Sequence, residues 1–523
     1  MSAPRFAAID VGSNAMRLRI VEAEAPGSWR EVTSLRAPVR LGREVFLTRR
    51  LSATALADAC RALKSFRELM DQERVVAYRA VATSAVREAQ NGASLVERAR
   101  REAGIDLEVI EGIEEARIVQ EAVAHEVKFD KPALLVDIGG GSTELTVVEN
   151  GAPVFATSLP LGTVRLLETY LPGGGALDKK GQKLVREAID RALSPALPAL
   201  LRARVAHVVG TGGNADALAS LCPGTGNGAD VAGVKALLVK LAPMAPAARE
   251  RAHGLRPDRA DTIVPAGMIF ARVADALGID QIATPGVGVK EGILHELVER
   301  HFRVWDAAGH DAVILDACRR LGAKFEWDEA HGEKVAALAS RLFDDLAAVH
   351  GMSPRERVLL QAGALLHDVG DFVRYEGHHK HGYYLVLHSD IMGLSPEERA
   401  VVANVVRYHR KSAPSDAHPN FRELSKDARA TVRGLAAIVR IADALDREHK
   451  GKVFGLRATA TKSRVRLQIA GAEDRELEEW TVLDKAALFR EVFGLEMTLV
   501  TDGPEIPNVP ASTRSPRAAS NVS

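Results

Sequence analysis

The chain has 523 residues, 46% hydrophobic and 26% charged, and its 69 Lys+Arg balance 69 Asp+Glu. That length exceeds a single core and suggests three or four domains. The charge balance offers no overall field for nucleic acid or a membrane surface, so an anionic partner has to be met by local patches.

Three distant cysteines, Cys60, Cys222 and Cys318, suit a reducing compartment better than a disulfide framework. No apolar run of about 18 residues and no signal-peptide core occurs, so a cytoplasmic, membrane-free protein is expected.

Residues 6–10 read as a strand, 12–14 as a turn and 16–21 as a second strand, because Met16, Leu18 and Ile20 alternate with Arg17, Arg19 and Val21. An amphipathic helix is expected near 52–71, a strand at 74–82 and a helix over 92–103. The strand "LEVI" then runs into the helix "EGIEEARIVQEAVAHEV". This first α/β segment spans 1–130. The next, 131–305, opens with "LLVDIGGGSTELTVV", which repeats "AIDVGSNAMRL" as strand, Asp, apolar residue, Gly, small polar residues and strand. Helices near 178–202, a strand at 205–209, "GTGG" and a helical run at 261–277 complete it.

From 306 to 450 the pattern is helical almost throughout, and twelve of the sixteen histidines lie between His301 and His449. A small α+β unit over 451–503 is read from alternation in "FGLRATATKSRVRLQIAG" and a helix at "LDKAALFREVFG". Residues 504–523, rich in Pro and Ser, are expected to be disordered.

Glycine lets backbone N–H groups approach a ligand closely, and successive N–H groups can form an anion-binding nest. The turns after Asp10 and Asp137 suit neighbouring phosphates, and "GTGG", between a strand and a helix, offers a third such turn. Asp137 and Glu144 flank one turn as a carboxylate pair fit for a hard cation such as Mg²⁺, with Asp10 as a matching carboxylate opposite. No G-x-x-x-x-G-K-[ST] occurs, which argues against a P-loop. "GVGVKEG" (286–292) has the wrong spacing for a dinucleotide site.

"AIDVGSNAMRL", "ATSAVREAQN", "EGIEEARI", "VDIGGGSTEL", "SLPLGTVRL", "GTGGN" and "GLRPDRADTIVPAG" occur in this order. Together they resemble the exopolyphosphatase and guanosine pentaphosphate phosphohydrolase (Ppx/GppA) family, a branch of the actin-like ATPase-domain superfamily. The likeness is close over 6–297, and the helical and final units are similar to those of longer members.

The resemblance implies an α/β fold of two actin-like (RNase H-like) domains, then an all-α HD-like domain and a small α+β domain. It implies Glu115 as the general base on water and Arg87 as a cation for the transition state. Asp137 and Glu144 would hold a divalent ion, Mg²⁺ or Mn²⁺. The phosphate-facing residues would be Asp10, Gly12, Ser13 and Asn14, then Gly139, Gly140, Gly141, Ser142 and Thr143, and Gly210, Thr211, Gly212 and Gly213. The substrate would be inorganic polyphosphate or, as the alternative, guanosine pentaphosphate, and the protein a homodimer. A basic track for a long polyanion has candidates in Arg49, Arg50, Lys179, Lys180, Lys183, Arg202, Arg204, Arg410 and Lys411.

In the helical unit, His331, His367-Asp368 of "LLHDVGDF" and Asp443 of "IVRIADALDR" resemble the HD superfamily of metal-dependent phosphohydrolases. His and carboxylate together suit a transition metal or Mg²⁺. His381 and His409 are candidates for a second metal position, and a second phosphohydrolase activity there is an open hypothesis. Two other classes stay in view: an actin-like sugar kinase or chaperone with a nucleotide at "GTGG", and a module that senses guanosine nucleotides without turnover.

Overall fold

A computed structural model describes residues 3–170, 175–302, 307–472, 476–500 and 506–510. The chain divides into two compact units, Met1–Asp306 and Ala307–Ser523.

The first unit carries two mixed sheets wired alike. One has the order Ser28–Ala37, Met16–Ala25, Arg5–Val11, Ala77–Ala82, Leu107–Val109. The other runs Ala152–Leu159, Thr143–Glu149, Ala133–Ile138, His207–Thr211, Gln281–Ala283, with Gly228–Asp230 at its edge. In each, three antiparallel strands precede two that run parallel to the first. The short repeat read from sequence is therefore the start of a repeated sheet.

The local chemistry explains the wiring. Arg5–Val11 and Ala133–Ile138 are apolar runs buried along nearly their whole length, as central strands covered on both faces must be. Helix Ala53–Gln72 starts where Ser52 accepts from the Ala55 amide, and Leu56, Leu63, Phe66 and Met70 form its buried stripe. Each such side chain removed from water stabilises by about 1.5–3 kcal/mol.

The sequence pattern hides some elements. The third strand of each meander, Ser28–Ala37 and Ala152–Leu159, is only partly buried and has weak alternation. The expected helix at 92–103 is α-helical over Gly92–Arg98 and then widens into a π-turn, Ala99–Ala103. The run expected near 178–202 is two helices, Lys179–Leu193 and Leu197–Arg202, parted around Pro195.

The second unit is helical from Ala307–Lys324 through Glu329–Asp345, Pro354–Leu366, His378–Leu387 and Pro396–Tyr408 to Lys426–Ala444. A three-stranded sheet, ordered Val453–Ala460, Arg464–Gly471, Glu496–Val500, follows, and helix Glu476–Phe493 packs on Lys426–Ala444. Part of the tail expected to be disordered is ordered: Leu456 N donates to Pro507 O at 3.2 Å and Val509 N to Phe454 O at 2.7 Å. The edge strand's open backbone groups explain that docking. Residues 501–505 and 511–523 lie outside the described residues.

Candidate active site

Asp10 and Asp137 end equivalent central strands, and the register across each hairpin sets what faces them. Arg17 lies opposite Asp10 and Glu144 opposite Asp137. The first hairpin therefore neutralises its aspartate, with Arg17 Nη1 donating to Asp10 Oδ2 at 3.0 Å. The second hairpin places two acids side by side.

Both turns open on one cleft of about 370 Å³, lined by Asp10, Gly12, Ser13 and Asn14 from one side and Asp137, Gly139, Gly140 and Ser142 from the other. The turns touch: a Cβ on Gly140 would lie 2.9 Å from Ser13 Cβ and 3.2 Å from Val164 Cγ2. Gly140 O also accepts from Val164 N at 2.8 Å and Arg165 N at 2.9 Å, so the turn is fixed from behind. Gly212 and Gly213 join the cleft at the start of helix Gly212–Leu221. Gly212 has φ +78°, a left-handed backbone that glycine adopts without penalty.

Five expected phosphate or metal residues do not line the cleft, each for a packing reason. Gly141 lies against Phe46 and Ser84, and Gly210 against Phe270, where side chains would collide. Thr143 Oγ1 donates to Leu161 O, and Thr211 Oγ1 donates to Asp137 Oδ1 at 2.8 Å. Glu144 sits behind the wall, with Ser158 Oγ donating to its Oε1 at 2.7 Å.

Glu115 enters from the first turn of helix Gly112–Glu126 and lines the cleft. Its neighbour Glu114 is spent on ion pairs, with Arg117 Nη2 at 2.8 Å and Arg79 Nη2 at 3.2 Å. Burial alone would raise Glu114, but those arginines outweigh it and hold it at about 2. Glu115 has the opposite surroundings. Oxygens of Glu115, Asp137 and Glu144 lie within 4.8 Å of one another. Burial first, then the charges of Glu144 and Asp137, push Glu115 well above the usual carboxylate range, with Arg87 opposing.

Burial likewise lifts Asp137 to about 6 against its Thr211 bond, and Glu144 to about 7 against its Ser158 and Ser142 bonds. Glu115 Oε2 and Glu144 Oε2 are buried without a hydrogen-bond partner. Two orphaned carboxylate oxygens in an all-oxygen donor set fit a hard divalent cation.

Arg87 is not among the cleft-lining residues. Its Nη1 donates to Ile110 O at 2.6 Å, so it acts on the acids as a nearby charge and not as a hand on the cleft wall.

The cations on that wall are ones the motifs did not single out: Arg17, Arg36, Arg256, Arg259 and Lys290. Arg36 and Arg256 pair with Asp258 at 2.7 and 3.6 Å, and Lys290 lies 3.4 Å from Glu291. Arg259 has no ion pair among the described residues, and burial pushes its guanidinium down to about 10 against the pull of Asp258. A buried guanidinium of this kind is suited to pair with an anion.

The segment "GVGVKEG", set aside as a dinucleotide motif, supplies Gly286 to Glu291 to the cleft. Position along the chain was its only signal. None of the basic-track candidates lines the cleft.

The helical unit gathers a second cluster. Nε2 of His331 lies 3.1 Å from Nε2 of His367, and Asp443 Oδ1 is 3.7 Å from each. Asp368 Oδ2 stands 3.4 Å from His367 and 3.8 Å from His331. Burial disfavours charge on His331, but Asp443 and Asp446 outweigh it and lift that ring to about 9, while burial pushes His409 down to about 3.

His409 joins the cluster, its Nε2 3.4 Å from Asp368 Oδ1, but His381 does not. The ring in its place is His378, 3.1 Å from Asp368 Oδ1. On helix His378–Leu387 the buried residues are His378, Gly382 and Val386, an i, i+4, i+8 stripe that His381 lies off. That stripe was readable.

A cleft of backbone turns, acids and cations defines a phosphate-handling protein, and the comparisons with known proteins agree. The sequence model of the Ppx/GppA phosphatase family matches residues 20–301, and that of Ppx/GppA phosphatase, domain III, matches 315–491. The chain belongs to the Ppx/GppA phosphatase family and is an enzyme of that class.

A guanosine-5'-triphosphate,3'-diphosphate pyrophosphatase from Photobacterium profundum is 27% identical over 420 residues, 79% of this chain and 82% of that protein. The crystal structure of an exopolyphosphatase from Cytophaga hutchinsonii ATCC 33406 is similar at TM-score 0.53 and 25% identity, covering 57% of this chain and 98% of its own. An exopolyphosphatase-like protein gives TM-score 0.52 at 26% identity, covering 58% and 100%. Among the described residues no helix is long and apolar enough to cross a membrane.

Proposed function

We propose that the chain is an exopolyphosphatase that releases orthophosphate from the ends of inorganic polyphosphate with Mg²⁺ or Mn²⁺. The observation that carries this reading is the triad Glu115, Asp137 and Glu144, two of its oxygens unpartnered, beside touching glycine turns in one cleft. In this reading residues 1–130 and 131–305 are two actin-like lobes, and the protein works as a cytoplasmic homodimer.

The terminal phosphate lies against Gly12, Ser13 and Asn14 on one side and Gly139, Gly140 and Ser142 on the other; the Gly12 and Gly139 amides close their own turns on Ala15 O and Ser142 O, and the remaining amides and polar side chains meet its oxygens. Phosphoryl transfer depends on this positioning and on charge neutralisation more than on covalent help. Asp137 and Glu144 would hold the divalent cation, which supplies neutralising charge to the phosphate oxygens when bound.

Glu115 orients a water for in-line attack at the terminal phosphorus and takes its proton. Burial and the neighbouring acids raise its pKa, which makes it a stronger base than a free carboxylate, and the charge of Arg87 opposes that rise. Arg259 and Arg17 stand on the wall to take the following phosphates. Replacing Arg259 with Met is expected to raise KM for polyphosphate about tenfold with a smaller fall in kcat, read from initial rates. An unchanged KM would remove Arg259 from the substrate path.

The acids also set a pH dependence. Protons on Asp137 and Glu144, held at about 6 and 7, must leave before a cation is bound. The Mg²⁺ concentration for half-maximal activity is expected to fall about twentyfold between pH 6 and pH 8, most of it below pH 7. A pH-independent value would show that these acids do not bind the ion.

The second reading is hydrolysis of guanosine pentaphosphate, favoured by the Photobacterium relative's name. Both substrates present a terminal phosphate, so the same residues serve. Orthophosphate release from polyphosphate, guanosine pentaphosphate and ATP in parallel tests the choice. Fast release from polyphosphate supports the first reading, preference for guanosine pentaphosphate the second, and preference for ATP neither.

For the helical unit we infer an HD-like domain with one divalent ion at His331, His367, Asp368 and Asp443. The support is the convergence of those four side chains.

A further inference from the structure

Helices Gly112–Glu126 and Val289–His301 both start at the cleft, where the first supplies Glu115 and the second Lys290 and Glu291. They pack side by side, and Gly292 has no room for a side chain because a Cβ there would strike Ile118 O. Further along, each helix carries a Glu and a His four residues apart and so on one face: Glu121 with His125, and His295 with Glu299.

The seam between these helices is short of positive charge. Arg79 pairs with Glu108, Glu114 and Glu296, Arg117 with Glu114, Glu121 and Glu296, and Arg300 with Glu296. With Glu299, three arginines face five carboxylates among the described residues. The shortfall falls at one place. Arg117 stands 3.8 Å from Glu121, beyond hydrogen-bond reach, and Glu299 Oε1 meets the ring of His125, 3.2 Å from Nε2. One oxygen each of Glu121 and Glu299 and one nitrogen of His125 lie within 4.8 Å of one another, on a side open to solvent.

His295 is a second and independent sign. It is 5% exposed, and among the described residues neither of its ring nitrogens has a hydrogen-bond partner. Its ring lies against Trp29, centroids 4.1 Å apart, and stacks parallel on His125 at 3.8 Å. A buried imidazole without partners is a mark of a site completed by a water or an ion.

We propose that Glu121, His125 and Glu299 bind one divalent transition-metal ion, Zn²⁺ by preference, that ties the helix carrying Glu115 to the helix carrying Lys290. Imidazole with carboxylate selects such an ion over Mg²⁺. A tetrahedral Zn²⁺ with ligands at about 2.1 Å keeps them about 3.4 Å apart, which matches the 3.2 Å between His125 Nε2 and Glu299 Oε1. Its two charges make up the shortfall of the seam. The fourth position is left to a water, the donor that His295 lacks. His125 is ten residues from Glu115, about 15 Å along the helix, so the ion takes no part in the chemistry. It fixes how the two helix starts stand to each other at the cleft.

The test is the Zn²⁺ content of the full-length chain after loading and gel filtration, with His125→Ala and Glu299→Gln beside wild type. Ions held at the cleft or in the helical unit are common to all three and cancel in the difference. Wild type is expected to retain one Zn²⁺ per chain more than either variant. Equal content overturns the proposal and leaves His125 and Glu299 as a plain ion pair. Wild-type crystals grown with Zn²⁺ give a reading that needs no variant. An anomalous peak bounded by Glu121, His125 and Glu299 is expected, and a map without one overturns the proposal even if the variants fail to fold.

Discussion

Glu115→Gln is expected to lower kcat on polyphosphate about 10³-fold while leaving substrate binding largely intact, measured by initial rates and by equilibrium binding. The side chain keeps its size and loses the ability to take a proton. The same substitution is expected to stabilise the metal-free protein at pH 8.

The sign follows from the raised acids. Glu115, Asp137 and Glu144 favour the folded state when protonated, and that contribution is lost as pH rises through about 6 and 7 for the latter two. Replacing one of the three buried acids with a neutral side chain should therefore raise stability at pH 8 and change it little at pH 4.5. Thermal melts at both pH values measure it. A catalytic loss without a gain at pH 8 would mean the three acids do not share their charge, and full activity would remove Glu115 from the mechanism.

Gly140→Ala is expected to cut kcat/KM for polyphosphate about 10²-fold with the fold retained. A methyl there would stand 2.9 Å from Ser13 Cβ, closer than van der Waals contact allows, and neither carbon is the free end of a flexible chain. The two turns must then part by a few tenths of an ångström, which on the proposed reading separates the two sides of the phosphate site. A circular dichroism spectrum like wild type, with the fall in kcat/KM, is the predicted pair of results. Unchanged kinetics would mean the turns do not act on one phosphate group.

What was legible in the sequence follows from what repeats locally. The apolar run, Asp and glycine turn at Asp10 and Asp137 marked both central strands, because buried strands and closely packed turns restrict residue choice at each position. The "EEAR" motif led to Glu115, and its own Arg117 pairs with Glu114 three residues away, a spacing visible in the sequence, while the fold adds Arg79 from a distant strand.

The cleft cations were illegible for the same reason. Arg36, Arg259 and Lys290 come together from separate parts of the chain, and although Arg259 lies within "GLRPDRADTIVPAG" and Lys290 within "GVGVKEG", neither segment shows which of its side chains faces a cleft. Arg87 erred the other way, since a suggestive motif said nothing about the Ile110 carbonyl that engages its guanidinium. His378 was within reach, had burial periodicity been weighed above the bare presence of histidine in "HHKHGYY".

The central claim is that water, readied by Glu115, attacks the terminal phosphorus of a polyphosphate. Hydrolysis in ¹⁸O-labelled water with mass analysis of the products tests it most directly. The account predicts one labelled oxygen in each orthophosphate released and none in the shortened chain. Label in the shortened chain, or unlabelled orthophosphate, would contradict it.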